Sequence, residues 1–467
     1  MKLPLSISEV QKNLKNKSYS NVDIVKTLLR RIKKYDKTYN SIITVCPESA
    51  LKKAHEYDLL CQKSSPDIFY KKPLLGCTVL HKDLFSTKGI KTTAGSAVLK
   101  EYYPDYSSTV AKILENKGVI TVGKANCDAW AHGASGENSE FGITKNPWNT
   151  DYVPGGSSSG SAAGVSANFA LFATGTDTGG SVRQPASFCN LVGFKPTYGA
   201  ISRYGVIAMA SSLDTVGLLT HTVEDSQKIF KELKGKDHRD STIVLKDTSK
   251  VKNKYKIGIP KEYFVEGLDN QVRSIVKKAA DFYEKKGHEL TEISLPHTKY
   301  AISTYYIIMS AEVSSNLARY DGIRYGQKRK EFGKEAKRRI ILGTFVLSHG
   351  YYDAYYLKAM KVRTKISEDF NKAFEKVDMI LSPVSPTPPF EIGEKTSDPL
   401  SMYLSDVYTA SANLAGIPAI SIPAGFTDKN LPVGFQLMGK RFSENTLFDA
   451  GDIFQKENKY HEISPVL

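Results

Sequence analysis

Residues 107–123 read SSTVAKILENKGVITVG. The first part, SSTVAKILENKG (107–118), is predicted to be a helix stopped by Gly118, because glycine accepts the left-handed backbone that ends helices. GVITVG (118–123) follows at once as a buried strand. LLGCTVL (74–80) before this stretch and FALFATG (169–175) after it read as two more short apolar strands. Strand–helix–strand alternation of this kind predicts an α/β fold built on a sheet.

Working outward, residues 6–60 read as helical. Leu28, Leu29, Ile32 and Tyr35 recur at helical spacing behind the candidate caps Ser20 and Asn21. Downstream, KIGIPKEYF (256–264) restarts a strand, and NQVRSIVKKAADFYEKKG (270–287) is an amphipathic helix closed by Gly287. Long helices are expected over 299–320 and 350–374, and a last one over 443–457. VDMILSPVSPTPP (377–389), GIPAISIPAGF (416–426) and PVGFQLMG (432–439) supply further strands. The most polar stretch, 235–255, reads as an excursion from the same domain.

Composition narrows the class. The 467 residues are 41% hydrophobic, ample for a large core, and no apolar run approaches the roughly 18 residues that span a bilayer. Five cysteines, widely spaced and without a CxxC pair, argue against a disulfide framework or zinc site and for a reducing cytoplasm. The net charge of +15 comes from lysines scattered along polar helix faces. No stretch interleaves arginine with aromatics as an RNA-binding strip would.

Chemistry concentrates in two glycine–serine clusters, PGGSSSGSAAG (154–164) and TGTDTGGSVRQPA (174–186). In the second, two glycines before Ser181 allow a sharp turn that aims several N–H groups at one point. Such a point would hold the oxyanion of acyl transfer, with Ser181 as nucleophile. Arg183 could pair with Asp177 to brace the loop. The first cluster fails as a phosphate loop, since Ser161 stands where that motif needs lysine. It runs directly into a packed segment, so a structured turn is expected. Upstream, Lys82 ends the apolar run LLGCTVLHK and could project into an enclosed site. As a general base it must be neutral, so burial has to lower its pKa by about 3 units. Strand alternation turns His81 away from Lys82.

Together these three segments resemble the amidase signature family, over essentially residues 5–460. The resemblance implies a Ser–Ser–Lys triad: Ser181 as the acylated nucleophile, and Ser157 as its bridge to Lys82. It implies a cis peptide at Gly156–Ser157 and an oxyanion hole made by the N–H groups of Thr178, Gly179, Gly180 and Ser181. It also implies one domain over 1–467, with a central mixed sheet covered by helices on both faces. That domain divides into a helical N-terminal segment (1–65), a catalytic core (70–230) and a substrate-binding C-terminal part (255–460).

Longer stretches are similar to one branch of the family, whose members hydrolyse glutamine and pass ammonia to partners that amidate Glu-tRNA(Gln). They include GKANCDAWAHGASGENSEFGITKNPWN (123–149), SSNLARYDGIRYG (314–326) and KRRIILGTFVLSHGYYDAYY (337–356). That likeness implies Arg339 on the glutamine α-carboxylate, Asp406 on its α-ammonium and Tyr305 lining the pocket. It implies a heterotrimer with B and C subunits, tRNA held mainly by a partner, and ATP and Mg²⁺ on the partner. No cofactor or metal is expected on this chain. Two rivals stay open: a free-standing hydrolase of small amides, and a catalytically silent scaffold. Three departures stand out. Ala129 replaces a carboxylate and His132 a methionine, near the path of substrate or released ammonia. Ser159 replaces a glycine. The segment between RYG (324–326) and EFGKEAKRR (331–339) is shorter than usual.

Overall fold

Eleven strands pair into one sheet in the computed structural model, which describes residues 3–63, 67–320 and 327–467. In chain order they are β1 (Ile42–Val45), β2 (Thr78–Lys82), β3 (Ile120–Ala125), β4 (Phe172–Asp177), β5 (Val192–Lys195) and β6 (Thr215–Thr220). β7 (Lys256–Pro260), β8 (Glu289–Ile293), β9 (Met379–Pro383), β10 (Ala419–Phe426) and β11 (Pro432–Gly439) complete it. The spatial order is β1-β3-β2-β4-β6-β5-β10-β11-β9-β7-β8.

The sheet is mixed, as the fold class required. β3, β2 and β4 run parallel, and so do β9, β7 and β8, while the middle strands are antiparallel. Parallel neighbours need crossovers. Helix Thr109–Asn116 lies between β2 and β3, and helix Ser159–Ser166 between β3 and β4. Helices Ser159–Ser166 and Arg183–Phe188 pack on one face of the sheet. Val223–Leu233, Asn270–Lys285 and Glu444–Glu457 cover the other.

Local signals explain most boundaries. Ser108 caps Thr109–Asn116, and Gly118 ends it at φ +99°. Ser20 and Asp23 form a reciprocal capping box at the start of Asn21–Tyr39. The strands begin a few residues later than their apolar runs: Leu74, Leu75 and Phe169 are buried in turns before β2 and β4.

One expectation is corrected. Residues 6–60, and the N-terminal segment 1–65 as a whole, are not continuously helical. Asn40 adopts a left-handed backbone (φ 50°), ends the second helix, and turns the chain into β1 before Pro47–Lys63 resumes. The expected 350–374 helix starts with a widened turn at Tyr352–Leu357 and continues as Lys358–Lys376. The polar stretch 235–255 contains no helix or strand, and hydrogen bonds from Val244 to Gly199 and from Thr248 to Phe442 hold it to the domain. RYG (324–326), where the shortened segment begins, lies outside the described residues.

Among the described residues no helix is long and apolar enough to cross a membrane.

Candidate active site

Parallel pairing places the site. Lys82 is the last residue of β2 and Asp177 the last of β4, so both emerge at the carboxyl edge of the sheet. Ser157 precedes the helix that links β3 to β4 and arrives at the same edge. The peptide Gly156–Ser157 is cis.

Lys82 is fully buried. Its Nζ donates to Ser157 Oγ at 2.8 Å, Thr176 Oγ1 at 2.9 Å and Ser158 Oγ at 3.0 Å. Burial pulls its pKa down to about 8, although Cys127, Asp128, Asp177 and Asp214 work in the opposite direction. A neutral amine keeps a lone pair, and the three hydroxyls around it then include a donor for that lone pair. His81 bonds Thr174 Oγ1 at 3.2 Å instead, and takes no part in this cluster.

The second cluster adjoins the first: Ser158 N–H donates to the Ser181 carbonyl at 3.2 Å. Ser181 Oγ has no hydrogen-bond partner among the described residues, so it is not bonded to Ser157. Gly180 has φ +139°, a backbone that side chains rarely adopt, and a Cβ there would lie 2.2 Å from Thr409 Oγ1. A Cβ on Gly179 would lie 2.6 Å from Tyr305 Cζ. Thr409 Oγ1 donates to the Gly179 carbonyl at 2.6 Å. Among the described residues, the N–H groups of Gly179, Gly180 and Ser181 have no acceptor in the chain, leaving them available to an oxyanion.

Asp177 and Arg183 pair as expected, at 3.0 Å and fully buried. The arginine does more than brace its own loop. It also donates to Asn413 Oδ1 (2.7 Å), Gln436 Oε1 (2.9 Å) and the Thr409 carbonyl (3.0 Å). Asn413 donates in turn to Asp177. The nucleophile turn is thus held by residues more than 220 positions away in sequence.

Tyr305, Arg339 and Asp406 come from that same half of the chain. Tyr305 lies against Gly179. Arg339 sits over the rings of Tyr306 and Tyr403, 5.4 and 6.0 Å from their centroids, and its Nε donates to Glu335 at 2.8 Å. Its Nη2 has no partner among the described residues. Asp406 stands one turn before Thr409, and its carbonyl accepts from that hydroxyl at 3.2 Å. Its carboxylate has no hydrogen bond among the described residues, and burial and then Asp177 raise it to about 8 against the pull of Arg339 and Arg183. Arg339 and Asp406 are thus both buried and are not bonded to each other, although the arginine charge acts on the carboxyl.

Sequence reasoning missed Ser158, Thr176, Thr409, Asn413 and Gln436. Only Ser158 had a signal, as the neighbour of Ser157. Ser159 is buried, with its hydroxyl 3.4 Å from Thr144 Oγ1, and stays out of the lysine cluster. Among the described residues no cluster of His, Cys, Asp and Glu could hold a metal ion.

Comparison with known proteins agrees with this architecture. The sequence profile of the Amidase family matches residues 23–448. The A subunit of glutamyl-tRNA(Gln) amidotransferase from Geobacter metallireducens is 50% identical over 480 residues, covering 98% of both chains. The protein of that name from Carboxydothermus hydrogenoformans is 48% identical over 486 residues, covering 99% of both. The crystal structure of the corresponding glutamyl-tRNA(Gln) amidotransferase chain from Thermotoga maritima is 40% identical. It superposes with a TM-score of 0.82, covering 97% of this chain and 94% of that one. With this match along nearly its whole length, the chain belongs to the amidase family.

Proposed function

We propose that this chain is the glutamine-hydrolysing subunit of a tRNA-dependent amidotransferase. The observation that carries the reading is a buried arginine with an open Nη2, Arg339, whose Nε alone is paired with Glu335, together with the buried Asp406 carboxyl that has no hydrogen bond among the described residues. An α-amino acid brings a carboxylate for the open Nη2 of the arginine and an ammonium for the aspartate. With those ends held, the side-chain amide of glutamine reaches Ser181.

Ser181 Oγ then attacks the amide carbon. Its proton passes to Ser157 as Ser157 gives its own to neutral Lys82. The N–H groups of the Thr178–Ser181 turn receive the oxyanion. Collapse expels ammonia as the relay returns a proton to the leaving nitrogen, and a γ-glutamyl ester remains on Ser181. Water hydrolyses that ester to glutamate by the same relay. Since only neutral Lys82 can begin the sequence, kcat/KM is expected to rise about tenfold per pH unit below pH 8 and to level off above it. A pH–rate profile for glutamine hydrolysis checks this.

In this reading the ammonia passes to partner subunits, B and C, in a heterotrimer, with ATP and Mg²⁺ on the one that activates Glu-tRNA(Gln). An exposed apolar face supports partner binding. Ile341, Leu342, Phe345, Tyr351, Tyr352 and Tyr355, on and after the Arg339 helix, all lie open to solvent. The names of the relatives support the same assembly.

The deciding experiment mixes the chain with amidotransferase B and C subunits, glutamine, ATP and Mg²⁺. Conversion of Glu-tRNA(Gln) to Gln-tRNA(Gln) is the expected result. Ammonia release without any transamidation would identify a free-standing amidase. In the same assay Arg339→Met is expected to raise the KM for glutamine about 10- to 100-fold, since it removes a charge-assisted bond. An unchanged KM would remove Arg339 from the pocket.

A further inference from the structure

His132 is fully buried, and neither ring nitrogen has a hydrogen-bond partner. Among the described residues it is the only histidine with both nitrogens buried and unpartnered. Buried polar groups are ordinarily satisfied, so two open positions on one ring point to a group that the chain itself does not supply.

The turn around His132 lies between the two halves of the site. On one side, Asp128 N–H donates to the Ser157 carbonyl at 3.2 Å. The Asp128 carboxylate accepts from Asn138 N–H at 2.9 Å and Gly136 N–H at 3.1 Å. Asn138 Nδ2 then holds the His132 carbonyl at 2.9 Å. On the other side, the Trp130 ring stacks 5.4 Å from Phe332, just ahead of the helix that carries Arg339. Trp130 and Ala131 have φ of 58° and 63°. Two successive non-glycine residues in that region are uncommon, and such strain gathers at sites where the surroundings enforce it. Burial, and then the charge of Arg339, keep the imidazole neutral. A neutral imidazole offers one donor and one acceptor.

We propose that His132 is a specificity-determining residue of the amino-acid pocket, its ring N–H donating a hydrogen bond to the α-carboxylate that Arg339 holds. The proposal rests on the amino-acid reading of the site. The carboxylate is the group assigned because the Trp130–Phe332 stack sets this turn against the start of the Arg339 helix, and an anion is what Arg339 draws there.

The test measures binding, so it does not depend on turnover. In full-length protein made inert by Ser181→Ala, the affinities of L-glutamine and of 4-aminobutanamide, which lacks the α-carboxylate, are compared by NMR titration. His132→Met, which keeps bulk and removes both nitrogens, is expected to weaken glutamine about 10- to 100-fold and the analogue less than about twofold. His132→Gln, which restores a donor, is expected to recover most of the loss. Equal losses for both ligands would make His132 a packing residue and overturn the proposal, as would unchanged glutamine affinity in both variants. If the Ser181→Ala protein binds glutamine with the expected His132 dependence while the unaltered protein fails to hydrolyse it, the amidase reading falls and the His132 assignment stands. Absence of glutamine binding overturns both.

Discussion

Ser181→Ala is expected to abolish glutamine hydrolysis, lowering kcat by a factor on the order of 10⁴ or more, with little change in thermal stability. The two halves of this result have separate causes. The Oγ that disappears has no bonding role among the described residues, so the fold loses little. The Ser181 carbonyl still accepts from Ser158 N–H, and Asp177 still accepts from the Val182 and Arg183 N–H groups, so the turn keeps its shape. No neighbour can take over the chemistry. The hydroxyls of Ser157 and Ser158 are both engaged by Lys82 Nζ. Ammonia release together with a thermal melt checks the prediction. Wild-type turnover in the variant would move the nucleophile to another residue, with Ser157 the next to test.

The largest effect on stability is expected from Arg183→Ala. The substitution leaves Asp177 as a carboxylate without its cation, and leaves Asn413 and Gln436 without a donor. Breaking a buried pair from one side costs about 3–5 kcal/mol, which in a chain of this size lowers the melting temperature by roughly 3–5 °C. Acid gives the pair a signature. Burial pushes the Asp177 carboxyl up, but the Arg183 charge and hydrogen bonds outweigh it and hold the group at about 2, below the ordinary 3.8. Its contribution to stability is therefore full above about pH 4, and is lost as pH falls from there through about 2. In Arg183→Ala, burial, the largest influence on the carboxyl, is opposed only by Lys195, Asn413 and other lesser partners, so the carboxyl moves up and the deficit should narrow on acidification. Melts of both proteins between pH 7 and pH 4 check this. A constant gap would show that the lost packing of the side chain, and not its charge, sets the cost.

How much of this was legible in sequence depends on how local each determinant is. Strands such as β10 could be read because both their faces are buried, which leaves continuous apolar runs such as AISIPAGF, whereas the central β5 (VGFK) and β6 (TVGLLT), equally buried but with shorter runs, were missed. β8, reading ELTEI, could not: it is an edge strand with one buried residue, Ile293, and no run to mark it. β1 is also at an edge and only four residues long, so it disappeared into a helical expectation. At the site, the Asp177–Arg183 pair was visible because it spans a single turn. Asn413 and Gln436 were not, since nothing in their own neighbourhoods marks them, and only the pairing of β5 with β10 brings that half of the chain alongside. The run of three serines posed a different difficulty. Composition cannot say which hydroxyls face a lysine, and the backbone answers with Ser157 and Ser158 but not Ser159.

The place of β10 in the sheet bears on how the protein is made. A ribosome releases residues 70–230, with the lysine, both serines and the glycine turn, long before residues 419–439. Until that late hairpin arrives, β5 presents a bare edge and Arg183 lacks Gln436, and before residues 409–413 emerge Thr409 is not there to support Gly180. The nascent chain thus carries every group of the proposed triad while the frame that aligns them is unfinished. It must also pass through synthesis with an open strand able to pair with other chains. In the proposed reading, hydrolytic competence therefore waits for residues 419–439.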